Sequence, residues 1–187
     1  MNVYFGKNPL PIVSTLENVK VLKILGVFFN DRGLTWSEHL AFICKKASRR
    51  LYVLRILKPL FSHDQLVKVF YALIRSLFEY ACPLFLNPGV SFDMKLKSLC
   101  KRVFVIIHGR DCTTCNSCDL LNIQYRRELL SMRLFKDALN NTLHSLHPIL
   151  PRRSDRPPGR LLIPYARCQR RAKTFVPSCA ILYNSAS

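Results

Sequence analysis

Val21–Arg55, VLKILGVFFNDRGLTWSEHLAFICKKASRRLYVLR, is the stretch whose reading decides the fold. Leu22, Ile24, Val27 and Phe29 make a β-prone apolar run. Asn30-Asp31-Arg32-Gly33 follows, and Asp and Gly tolerate the left-handed backbone of a tight turn. Leu34-Thr35-Trp36-Ser37 then leads into a helix, where Leu40, Ile43, Ala47, Leu51 and Leu54 recur at helical spacing as one apolar stripe. Lys45 and Arg49 fall on the opposite face, with Lys46 towards its edge. The stretch therefore reads as a strand, a turn and a basic amphipathic helix.

Working outward, the C-terminal side continues in helices. Ser62 with Gln65 is a capping-box signature and opens a helix through about Glu79. Its inward stripe is Leu66, Phe70, Ile74 and Leu77, widened by Val67, Tyr71 and Phe78, and Pro83 ends it. Asn87-Pro88-Gly89 marks a turn. From about Phe92 to His108 a further helix carries Leu96, Leu99, Cys100, Val103 and Ile107 inward, with Lys97, Lys101 and His108 along one flank and Gly109 as its stop. Arg110–Asp119 is a polar loop, and Ile123–Leu143 is expected as the last long helix, with Leu130 and Leu134 or Phe135 inward. On the N-terminal side, Asn2–Phe5 and Pro11–Ser14 read as strands around a Gly6–Pro9 loop, and with Val19–Phe29 they could form a small antiparallel sheet. After His147-Pro148 the composition shifts: five of the 11 prolines lie in Pro148–Pro164, and from Pro151 onward eight Lys/Arg face only Asp155. That pattern predicts an extended basic tail rather than a second core. The expected fold is mainly α with a small β part: residues 1–35 a strand remnant, 36–147 a helical domain, 148–187 a Pro-rich basic tail.

Lys+Arg 29 against Asp+Glu 11 gives a net charge of +18, which favours polyanionic partners, nucleic acid first. Lys45, Lys46, Arg49 and Arg50 are the densest cluster, with no acid between His39 and His63. Lys97, Lys101, Arg126, Arg127, Arg152 and Arg153 are further candidates for phosphate contacts. For any one of them a solvated helix face is an equally good reading. Trp36 and Phe175 lie beside apolar runs and are assigned to core rather than to base stacking.

No apolar run reaches membrane-spanning length, since Lys68, Arg75 and Glu79 interrupt the best one, and Met1–Leu10 does not read as a signal peptide. A nuclear or cytosolic protein with free thiols is expected from its eight cysteines. Cys112, Cys115 and Cys118 could converge on zinc with His108 as fourth ligand, but a second Cys pair is missing, and an exposed loop is the preferred reading. The aspartates are widely spaced, so nothing offers the adjacent carboxylates that a two-metal polymerase needs. No cofactor, small-molecule substrate or membrane partner is expected.

Taken as a string, ILGVFFNDRGLTWSEHL followed by KKASRRLYVLR resembles the segment just after the polymerase core of non-LTR, jockey-like retrotransposon reverse transcriptases. LIRSLFEYACPLF (Leu73–Phe85), LKSLCKRVFVIIHG (Leu96–Gly109), LLNIQYRRELLSMRLFKDALNN (Leu120–Asn141) and RAKTFVPSCAILYN (Arg171–Asn184) resemble that family's following segments, in the family's order and over nearly the whole chain. The resemblance implies the end of a palm followed by a thumb, whose basic helices grip an RNA–DNA hybrid or DNA backbone. It also implies that the catalytic Ala-Asp-Asp turn and its Mg²⁺ belong to sequence preceding Met1, so that this chain is a non-catalytic fragment. Alternative readings are a small zinc-binding interaction protein, or an inert degenerate fragment.

Overall fold

The computed structural model describes residues 4–5, 8–9, 20–30, 36–109, 122–155, 159–167 and 169–186. Over these the protein is mainly helical, with two short antiparallel hairpins. Strands β1 (Tyr4–Phe5) and β2 (Asn8–Pro9) form the first hairpin, so Asn8 and Pro9 pair with a strand rather than only linking strands. The expected strand Pro11–Ser14 lies outside the described residues, as does most of the turn Asn30–Gly33.

Val19–Phe29 is not one strand. It folds back on itself as β3 (Val21–Ile24) and β4 (Val27–Asn30), in register from Val21↔Asn30 to Ile24↔Val27. Leu25 and Gly26 form the two-residue turn at φ 48° and 81°, the left-handed pair whose twist matches that of the flanking strands. Gly26 fits this conformation, whereas Leu25 is strained and 85% exposed. The Tyr80 hydroxyl donates to the Leu25 carbonyl and ties the turn to the helices. Replacing Leu25 by Asn, which adopts left-handed backbone more readily, should stabilise the protein by about 0.5–1 kcal/mol in urea unfolding.

Helix α1 (Ser37–Leu57) buries Leu40, Ile43, Ala47, Leu51 and Leu54, the stripe read from spacing, together with His39. Ser62 caps α2 (His63–Phe70) in a complete capping box. A π-helical turn, Tyr71–Arg75, joins α2 to α3 (Ser76–Glu79). That wide turn takes up about one extra residue, so the inward position after Ile74 is Phe78, and Leu77 is only half-buried. Ala81 at φ 53° breaks the helix, and Pro83 begins a 3₁₀ turn, Cys82–Phe85. Helix α4 (Val90–His108) runs between Gly89 and Gly109, both at positive φ, and Asn122 caps α5 (Ile123–Asn140).

Two clusters of buried side chains result. Helices α1, α2, α3 and α4, with Ile123 of α5, enclose the larger one around Phe70, Ile74 and Phe78. The second corrects the expected tail. Chain beyond Pro148 folds back through an Arg153↔Leu161 bridge, then forms α6 (Gln169–Ala172) and α7 (Phe175–Ala186). Leu161, Cys179 and Ala180 pack with Leu86 and Phe135, and the Asn184 side chain bonds both backbone groups of Leu161 at 2.8 and 2.9 Å. Pro177 is accommodated because it sits in the first turn of α7, where its missing N–H leaves no bond unmade. Helix α5 therefore joins the two cores: Ile123 and Leu130 face the first, Phe135 the second.

Candidate nucleic-acid interface

Apolar burial on one side of α1 fixes where its cations go. Lys45 and Arg49 are exposed, and Lys46 and Arg50 are half-buried at the edge facing the β3–β4 turn and the π-helical turn. The Lys46 ammonium lies 5.7 Å from the Phe42 ring centroid, and Lys23 of β3 lies 5.6 Å from that of Phe28. Phe28 and Phe42 meet edge-to-face at 5.1 Å, so both ammoniums rest on one aromatic pair. The Arg50 guanidinium donates to the Leu73 carbonyl, using one of its five donors to fix its position. Among the described residues no carboxylate pairs with Lys23, Lys45, Lys46, Arg49 or Arg50.

The remaining candidates do not join this face as a group. Lys97 and Lys101 are exposed on α4, and Lys97 lines a cleft against Asn122 and Gln124 of α5. Lys95, which the pattern did not single out, approaches Cys44 of α1 closely enough to oppose the rise that burial imposes on that thiol. Arg126 is held by Glu79, at 3.2 Å, a carboxylate already paired with Arg75 at 2.7 Å. Arg152 and Arg153 are exposed at the Arg153↔Leu161 bridge.

Arg127 is a correction. It is 1% exposed and cannot meet a phosphate. Its guanidinium donates to the Phe85 carbonyl and, at 3.2 Å, to that of Leu86. It lies 3.6 Å from Asp93 and stacks against the rings of Phe85 and Phe92. The sequence offered no signal for this, because Arg126-Arg127 reads as one exposed pair. Helical geometry nevertheless turns neighbouring residues about 100° apart. Ile123, Arg127 and Ser131 lie at four-residue spacing on the inward face.

Two histidines carry perturbed titration. His39 is buried with no hydrogen-bond partner at either ring nitrogen among the described residues, and desolvation lowers its pKa. His108 stacks on Phe104, and its Nδ1 lies 3.0 Å from Nε2 of His63. Burial, then the neighbouring His63, lower its pKa as well. Because both folded-state values lie below the ordinary 6.5, the unfolded chain takes up protons that the folded chain refuses as pH falls through that value. Stability should be fully present above about pH 6.5 and decline below it. Urea unfolding at about pH 7.5 and 5.5 should show a lower midpoint at the acid end, and His39→Leu should reduce the difference.

Cys112, Cys115 and Cys118, proposed with His108 as a metal set, lie outside the described residues, and among the described residues no group of three or more potential ligands converges. Cys44, Cys82, Cys100 and Cys179 are free thiols, and burial pushes Cys100 and Cys179 up to about 12, which keeps them protonated and unreactive. Trp36 rests on Phe29 and Phe85, and Phe175 on Phe135, so both pack inward. No described helix is long and apolar enough to cross a membrane. No family model, curated protein or solved structure matches this chain.

Proposed function

We propose that this chain is a non-catalytic, sequence-independent nucleic-acid-binding module, akin to the thumb of a non-LTR retrotransposon reverse transcriptase, acting in the nucleus or cytoplasm. The observation that carries the reading is the face of α1. Lys45 and Arg49 project from a helix whose other side is locked into the core, beside Lys46, Arg50 and Lys23, with no paired carboxylate among the described residues. A rigid row of uncompensated cations binds phosphates without reading bases. The net charge of +18 and the ordered resemblance of the chain's segments to the family support the same reading. Magnesium and polymerase chemistry are features of the catalytic core of the family it resembles, and RNA–DNA hybrid or duplex DNA is the expected ligand.

Salt dependence tests it. Each phosphate contact releases counterions, so log affinity should fall linearly with log salt, and Lys45→Ala with Arg49→Ala should flatten the slope by about 2. Affinity should drop by the same factor for unrelated sequences. An unchanged slope in a folded double variant would reduce the face to a solvated surface. Absence of binding by the parent chain would favour an inert fragment.

A further inference from the structure

Between the β3–β4 turn, α1 and the π-helical turn lies a cleft of about 530 Å³, within the size range of small-ligand sites. Lys23, Lys46 and Arg50 line it, and among the described residues no carboxylate does. The rest of its wall is mainly apolar, including Phe42, Leu73 and Leu77. His39, 2% exposed and without a partner among the described residues at either ring nitrogen, lines it as well. Two features of the walls are energetically unfavourable by themselves: Leu25 holds a left-handed backbone at the rim, and the helix widens to π geometry at Ala72 and Leu73. Such departures persist where surrounding structure imposes them and are enriched at functional sites.

We propose that this cleft seats one unstacked nucleotide adjoining the duplex held by α1, its phosphate on Lys23, Lys46 and Arg50 and its base against the apolar wall with its polar edge towards His39. The proposal rests on the reading of α1 as a phosphate-binding face. The chemistry of the lining selects this occupant. A bare phosphate would use the cations and leave the apolar wall and His39 unexplained, and an apolar ligand would leave three cations unpaired. A nucleotide has an anionic end, flat apolar faces and a polar edge, which is the complement of what the walls present. Burial holds His39 neutral near pH 7, so a ring nitrogen turned to the cleft would meet that edge as a donor or as an acceptor, whichever the tautomer gives. Lys46 and Arg50 belong to both surfaces, which makes the cleft continuous with the outward face of Lys45 and Arg49.

Fluorescence anisotropy on the full chain would test this with three hairpin duplexes: blunt, with one unpaired 3′ nucleotide, and with one unpaired 3′ abasic residue. The unpaired nucleotide should tighten binding about tenfold over blunt, as one stacked base does, while the abasic end should not. Ala72→Trp, which fills the cleft from an exposed position and removes no charge, should abolish the preference and keep blunt-duplex affinity. Equal affinity for blunt and overhanging duplexes would overturn the nucleotide seat and leave the phosphate-binding face standing. A preference retained by the abasic end would also overturn it, since the phosphate alone would account for it. Failure of the parent chain to bind any of the three would overturn both readings. The abasic comparison needs no variant, so the test stands even if Ala72→Trp does not fold.

Discussion

Arg127→Ala is expected to destabilise the protein by about 3–5 kcal/mol, the range for breaking a buried, charge-assisted network from one side. The guanidinium is 1% exposed and serves the carbonyls of Phe85 and Leu86, the Asp93 carboxylate, and the faces of two aromatic rings. Those carbonyls close the 3₁₀ turn that links α3 to α4, so the residue holds α5 against the break in the chain after Ala81. Truncation orphans them and leaves a cavity besides. Arg127→Met separates the two effects. It keeps most of the volume and loses the polar and charged contacts alone, so about 1–3 kcal/mol is expected. Arg126→Ala should cost less than about 1 kcal/mol, because that side chain is 39% exposed and Glu79 retains Arg75. Chemical denaturation of the three variants checks the order. Arg127→Met should also leave the salt slope of nucleic-acid binding unchanged, unlike the α1 variants, since a buried guanidinium releases no counterion.

That contrast explains much of what the sequence could and could not convey. Every residue that spacing placed inward on α1 and α4 is buried, because a regular helix converts three- and four-residue steps directly into one face. The stripes are wider than read: His39 on α1, and Phe92 and Ile106 on α4, are buried as well. The capping box at Ser62 and the stop at Gly109 were legible for the same local reason. The phase of α3 was not. The π-helical turn at Tyr71–Arg75 rotates everything after it, and apolar Leu77 and Phe78 give no hint of which is inward. The β3–β4 turn was missed because Leu25 is a poor turn residue, held there by Tyr80 from 55 positions away. Charge was the least legible property. Lys45 and Arg127 look alike as letters, yet one faces solvent and the other organises a core. The cleft is of the same kind: Lys23, His39 and Ala72 come together only through the packing of three elements.

Phe135→Ala should cost about 3–5 kcal/mol, an effect whose size draws on the packing of the last quarter of the chain against α5. Phe135 is fully buried between α5 and α7, touching Phe175 and Tyr183 edge-on or tilted at 6.1 and 6.4 Å. Were the residues beyond Pro148 an extended tail, the ring would keep Leu86 but lose Phe175, Cys179, Ala180 and Tyr183, and its removal would cost much less. The prolines of 148–164 and the arginines around them suggested that tail, because both disfavour a packed core when weighed by composition. Composition averages over the run Phe175–Tyr183, which is almost wholly apolar and needs only one helical turn to present Cys179 and Ala180 to α5. Their small side chains let the helices approach closely, so the ring fills a site with little room to collapse once emptied. The loss should therefore lie towards the upper end of the range. Because α5 also carries Ile123 into the first core, unfolding should remain a single transition in which both clusters are lost together. A small loss, or an early separate transition of the second cluster, would show that residues beyond Pro148 contribute little to the folded body. The prediction is checked by urea unfolding followed by far-ultraviolet circular dichroism and by the fluorescence of Trp36, which reports the first core alone.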